Sequence, residues 1–103
     1  MERLDKLKEF LAENPADNFV RHAMALEYIK LNNDEKAREL FEEIVKRDPG
    51  YVGTYYHLGK LLERNADEEQ AIRVYEKGIE EAKKAGDDLS LRELRSVLDE
   101  LQN

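Results

Sequence analysis

Residues 37–49 read ARELFEEIVKRDP and residues 71–83 read AIRVYEKGIEEAK. The two stretches lie 34 positions apart and share one pattern: Ala37 against Ala71, Leu40 against Val74, Phe41 against Tyr75, Val45 against Ile79. Working outward, the same offset joins Met24 to Leu58, Ala25 to Gly59, Tyr28 to Leu62 and Pro15 to Pro49. It also joins Leu7 to Phe41, Phe10 to Ile44 and Leu11 to Val45. Small residues recur against small ones and large apolar residues against large apolar ones. A fixed period of this length marks stacked supersecondary units, none of which buries its apolar face alone.

Within each unit the apolar residues recur at three and four positions, the spacing of one helix face. Leu4, Leu7, Phe10 and Leu11 predict a first helix that stops near Glu13, because Asn14 precedes Pro15 and the residue before proline resists the helical conformation. Asp17 caps the second helix, which carries Val20, Met24 and Tyr28 and breaks at Asn32-Asn33. Asp34 is the expected cap of the third, which ends on the turn residues Asp48-Pro49-Gly50. The fourth carries Tyr55, Leu58, Gly59, Leu61 and Leu62 and ends around Asn65. Asp67 with Gln70 forms a weak capping box for a long fifth helix, with Gly86 as its C-cap. Ser90 with Glu93 forms a cleaner box for the sixth, which carries Leu91, Leu94, Val97, Leu98 and Leu101. The sixth fails the 34-residue register but obeys one of 36, with Tyr55 against Leu91 and Leu58 against Leu94, as two extra residues near Ala85-Gly86 explain. Tyr51 to Tyr56 has some strand propensity, outweighed by Gly50, Gly53 and the helical stripe that follows.

The chain has 103 residues, the size of one domain, with 41% hydrophobic and 40% charged residues. The charged share, well above the usual ~25%, mixes both signs as solvent-facing helix sides do. Net charge is −7, from 24 acids against 17 bases, and no basic cluster stands out. This composition argues against nucleic acid and anionic membranes as partners, since both need clustered Lys and Arg. There is no cysteine, hence no disulfide or thiol chemistry. No apolar run approaches the ~18 residues of a membrane span, and Met1-Glu2-Arg3-Leu4 begins no signal peptide. The expectation is a soluble, cytoplasmic protein.

Residues for catalysis are scarce. His22 and His57 have no second ligand at metal spacing, so no metal is expected. The carboxylate pairs Glu42-Glu43, Glu68-Glu69, Glu80-Glu81 and Asp87-Asp88 are neighbours that point about 100° apart on a helix, which makes a solvated face and no acid–base dyad. Gly50, Gly53 and Gly86 fit no phosphate-binding loop, and Ser90 and Ser96 have no nearby histidine. The reading is non-enzymatic, with no cofactor.

Residues 18–49 and 52–82 resemble two tetratricopeptide repeats. The second keeps Tyr55, Leu58-Gly59, Leu62, Ala71, Tyr75 and Ile79 at the family's spacing; the first keeps Met24-Ala25, Tyr28, Ala37, Phe41 and Pro49 but has Arg21 where a large aromatic is usual. The resemblance covers essentially the whole chain and implies an all-α fold, a right-handed superhelical stack of antiparallel helix hairpins. It implies one domain: a half-repeat helix at 1–15, repeats at 18–49 and 52–85, and a capping helix at 87–103. It also implies that the first helix of each repeat lines a groove that holds a segment of another protein.

Residues on the first helices but off the core stripe then nominate the groove: Phe19, His22, Leu26, Ile29, Lys30, Tyr56, His57, Lys60 and Arg64. Helix two is apolar over a wide arc, because Phe19, Leu26 and Ile29 stand beside Val20, Met24 and Tyr28. Either the first helix covers part of that arc, or the arc binds a partner helix or a second copy of the chain; the alternative function is therefore a self-associating structural protein. Relatives that grip the carboxylate tail of heat-shock chaperones use Lys, Asn and Arg in the groove. Here His22, Leu26, His57, Leu89 and Glu93 stand at those positions, so that clamp is missing.

Overall fold

The computed structural model describes residues 2–103 as six helices: α1 (Glu2–Glu13), α2 (Asn18–Lys30), α3 (Asp34–Arg47), α4 (Gly53–Arg64), α5 (Glu68–Ala85) and α6 (Asp88–Gln102). Among the described residues there is no strand, no cluster of three metal-ligating side chains, and no helix long and apolar enough to cross a membrane. The most extensive packing joins α2 to α3, α4 to α5 and α5 to α6, as in a stack of hairpins. The molecule measures 41 × 29 × 19 Å, and its short axis is two helices thick.

The helix ends follow local chemistry. Asp17 accepts from the Val20 amide at 3.1 Å, and Asp67 accepts from the Gln70 amide at 3.3 Å. Gly86, at φ 68°, closes α5 in the left-handed region open to glycine. Two expected caps are displaced. Asn33, one residue before Asp34, caps α3 by accepting from the Lys36 amide, and Asp34 becomes the first helical residue. Asp87 caps α6, with Ser90 as the donor at 3.0 Å from its amide and 2.7 Å from its hydroxyl. In both cases two competent residues are close together, and the backbone turn decides between them.

The turns repeat with the helices. Asn32 (φ 60°) and Ala66 (φ 63°) are equivalent residues after α2 and α4, both left-handed. Asparagine tolerates this conformation, whereas alanine is strained by about 1 kcal/mol. Ala66→Asn is therefore expected to stabilise the protein by roughly 0.5–1 kcal/mol, read as a raised urea midpoint at unchanged m-value.

The main core runs through Ala25, Ala37, Phe41, Ile44, Tyr55, Leu58, Leu61, Leu62, Ala71, Tyr75 and Leu94. A smaller cluster of Leu4, Val20 and Met24, flanked by Leu7 and Leu11, holds α1 on α2. Ala25, Ala37 and Ala71 are fully buried where the hairpin helices cross. Gly59 must be smaller still: a Cβ there would clash with the edge of the Tyr75 ring, 2.5 Å from Cζ and 2.6 Å from Cδ1. Gly78 takes the place of Ile44 one repeat later, and its missing side chain lets Tyr55 and Leu94 approach.

Polar substitutions between the repeats are matched in pairs. Arg21 occupies the position of Tyr55. Its guanidinium donates to the Pro15 carbonyl, as the Tyr55 hydroxyl donates to the Pro49 carbonyl at 2.6 Å. Arg21 thus closes the turn before its helix as Tyr55 does one repeat later, and it is buried in doing so. Phe41 and Ile29 of the first repeat become Tyr75 and Glu63 in the second, where the Tyr75 hydroxyl donates to the Glu63 carboxylate. Burial and that carboxylate both push the Tyr75 pKa upward, so the phenol stays a donor.

Candidate protein-binding face

Helices α2, α4 and α6 lie side by side in one layer, α2 meeting α4 through a histidine seam and α4 meeting α6 around a small cavity. His22 shares a 2.9 Å hydrogen bond with the Thr54 hydroxyl, its Nδ1 facing the oxygen. The His22 ring stands edge-on to His57 at 5.0 Å between centroids and 5.5 Å from Phe41. His57 stacks on Phe41 at 6.2 Å and meets Tyr56 edge-on at 5.6 Å. Tyr51 closes the other side of His22 at 6.0 Å. Two half-buried histidines over a buried phenylalanine thus form a continuous aromatic floor across α2 and α4.

Burial, helped by the neighbouring His57, lowers the His22 pKa to about 4, and burial also lowers that of His57 against the opposing pull of Glu93. The fold therefore favours neutral rings. The unfolded chain takes up these protons first as pH falls through about 6.5, so stability is full above that pH and declines toward pH 4. Between pH 7 and 5.5, above the usual carboxylate range, the loss is expected to be about 1 kcal/mol, allowing for partial solvent screening. Urea titrations at the two pH values measure it, and His22→Gln should remove most of the difference.

The remaining nominated residues divide. Phe19 is 73% exposed at the start of α2, and Leu89, two residues into its own helix, is 62% exposed at the start of α6. Gly53 is the residue equivalent to Phe19, and a methyl group added there would meet nothing within 4 Å, so the rim dips between two apolar posts. Leu26 and Ile29 are half-buried against the main core, while α1 covers the Val20 and Met24 part of the arc. Lys60 is half-buried, 3.9 Å from Glu63. Arg64 is drawn away to α3, where it holds Asp34 at 2.7 and 3.3 Å beside Asn65 at 3.0 Å. That fork holds the Asp34 carboxyl below the usual range.

Two cavities open on this layer. One of about 270 Å³ is lined by Arg3, Phe19, His22, Ala23, Leu26, Glu27 and Lys30. The other, about 140 Å³, lies between α4 and α6, bounded by Tyr56, His57, Ser90 and Glu93. Lys30 exposes its ammonium and lies 3.8 Å from Glu27, which also meets Arg3 at 3.6 Å. Sequence reasoning alone misses Thr54, Arg3 and Glu27. Thr54 is accessible to it in principle, since it replaces buried Val20 at the repeat offset, isosteric but with a hydroxyl. Arg3 and Glu27 are brought together only by the docking of α1.

The tetratricopeptide repeat profile matches residues 20–51 and 52–84. A crystal structure of a tetratricopeptide repeat domain protein from Salinibacter ruber is 46% identical, covers 84% of this chain and 96% of its own, and superposes with a TM-score of 0.80. A solution structure of a domain of the same description and organism gives 47%, 84%, 88% and 0.82. A Bordetella parapertussis protein, 24% identical over 96% of this chain and 86% of its own, shares the fold with a TM-score of 0.81. No curated protein matches the chain. With two matched repeats spanning more than half its length, the chain belongs to the tetratricopeptide repeat family, whose repeats mediate protein–protein interaction.

Proposed function

We propose that the face built by α2, α4 and α6 binds a segment of a partner protein, and that the chain is one interaction domain: two repeats between a half-repeat helix and a capping helix. The observation that carries this reading is the aromatic floor of His22, Tyr56 and His57, flanked by the apolar posts Phe19 and Leu89. Tyrosine and histidine combine large contact area with hydrogen bonding at low conformational cost, which suits peptide contacts. The buried side chains of the hairpins already have core roles, and their polar atoms are satisfied among the described residues.

The face is short, so micromolar affinity is expected. The test is affinity capture of a partner on the immobilised chain, followed by binding measurements with the identified protein. Tyr56→Ala combined with Lys60→Ala should weaken binding at least about tenfold with helicity by circular dichroism retained. Undiminished binding by a folded double variant would contradict the assignment.

A further inference from the structure

We infer that the cavity between α1 and α2 accepts an apolar side chain from an acidic stretch of the partner, and that charge decides which end of the face takes that stretch. The inference rests on the binding face proposed above and names the chemistry of what it takes. The cavity floor is apolar, made by Phe19, Ala23, Leu26 and the neutral ring of His22. At about 270 Å³ it is below the usual size of a small-molecule site and suits a single side chain.

Its mouth is cationic, although the protein carries −7. Arg3 and Lys30 both approach the same oxygen of Glu27, at 3.6 and 3.8 Å. These distances exceed the 2.7–2.9 Å of a charge-assisted hydrogen bond, so both cations keep free donors. Their side chains are largely exposed, whereas the Glu27 side chain is 13% exposed. One shielded carboxylate between two open cations leaves a local excess of positive charge beside the apolar floor. The cavity at the other end of the face has the opposite sign, since Glu93 is its one carboxylate and it holds no Lys or Arg. An acidic residue next to the anchoring side chain is attracted at the α1–α2 end and repelled at the α4–α6 end.

The test uses the full chain, labelled with nitrogen-15, and three capped synthetic heptapeptides: alternating leucine–aspartate, alternating leucine–lysine, and alternating serine–aspartate. The leucine–aspartate peptide should shift the amides of Ala23, Leu26 and Glu27 and bind about tenfold more tightly than either control, with the advantage fading at high salt. Arg3→Glu combined with Lys30→Glu alters only exposed side chains and should reverse the preference toward the leucine–lysine peptide. Equal binding of all three peptides, or an unreversed preference in a folded variant, overturns the inference. Shifts confined to Tyr56, His57 and Lys60 overturn it while leaving the binding face standing. No shift anywhere on α2, α4 or α6, together with undiminished partner binding by the Tyr56 and Lys60 variant, defeats both. Concentration-dependent sedimentation without peptide, with shifts at Phe19 and Leu26, would assign the cavity to a second copy of the chain and likewise overturn it.

Discussion

Gly59→Ala is expected to destabilise the protein by about 3 kcal/mol, although it adds one methyl group to a helix and improves helix propensity. Propensity alone predicts a gain of up to ~1 kcal/mol, so the sign of the result separates packing from propensity. The new Cβ would clash with the edge of the fully buried Tyr75 ring, 2.5 Å from Cζ. Tyr75 cannot swing aside without breaking its hydrogen bond to Glu63 and disturbing the contact of α4 with α5. Urea denaturation followed by circular dichroism measures the loss. The double variant Gly59→Ala with Tyr75→Leu should lose less than the sum of the two single changes, by about 1–2 kcal/mol, because the smaller side chain vacates the space. Additive losses would show that the two residues do not meet.

Phe41→Ala should lower stability by about 3–5 kcal/mol, the usual range for removing a buried aromatic ring. Phe41 is fully buried and carries His22 and His57 at 5.5 and 6.2 Å. A cavity beneath the histidines admits water to both rings. The burial that lowers the His22 pKa is relieved, and its titration should move upward from about 4 toward the ordinary value of 6.5. Proton NMR of the imidazole across pH 3–8 measures this at a temperature where the variant remains folded. Phe41→Leu keeps most of the volume and should show a smaller loss of stability and a smaller shift. An unchanged His22 titration in both variants would mean that Phe41 does not form the floor.

The helices and the core are legible in the sequence because both rest on periodicity. Ala37 and Ala71, Phe41 and Tyr75, and Ala25 and Gly59 announce their burial by recurring at one interval, and all six are buried. Pro15 and Gly86 mark ends where the backbone has no alternative, and α1 and α5 end there. Caps are less legible. Asn33 beside Asp34, and Asp87 beside Ser90, are equally competent in side-chain chemistry, and the geometry of the preceding turn selects between them. Arg21 in place of an aromatic reads in the sequence as a packing question. It is a change of donor, since both side chains reach the carbonyl of the preceding proline.

The face is legible by position and obscure by contact. Phe19, His22, Tyr56 and His57 follow from their place on the first helices, yet nothing local joins His22 to Thr54 across 32 residues. Arg64 has an equivalent place but is captured by Asp34, 30 residues earlier. The pairing of Arg3 with Glu27 depends on how α1 docks, which in turn depends on Leu4 finding Val20 and Met24. Charge partners of this kind follow from packing and have no periodic signature.

Backbone chemical-shift mapping with a captured partner segment decides whether the α2–α4–α6 layer is the binding face. Shifts are expected at His22, Leu26, Tyr56, His57 and Lys60, on α2 and α4, with the amides of Glu39, Lys46, Arg73 and Glu80 on α3 and α5 unmoved. Shifts concentrated on α3 and α5, with the histidine seam silent, would contradict that assignment.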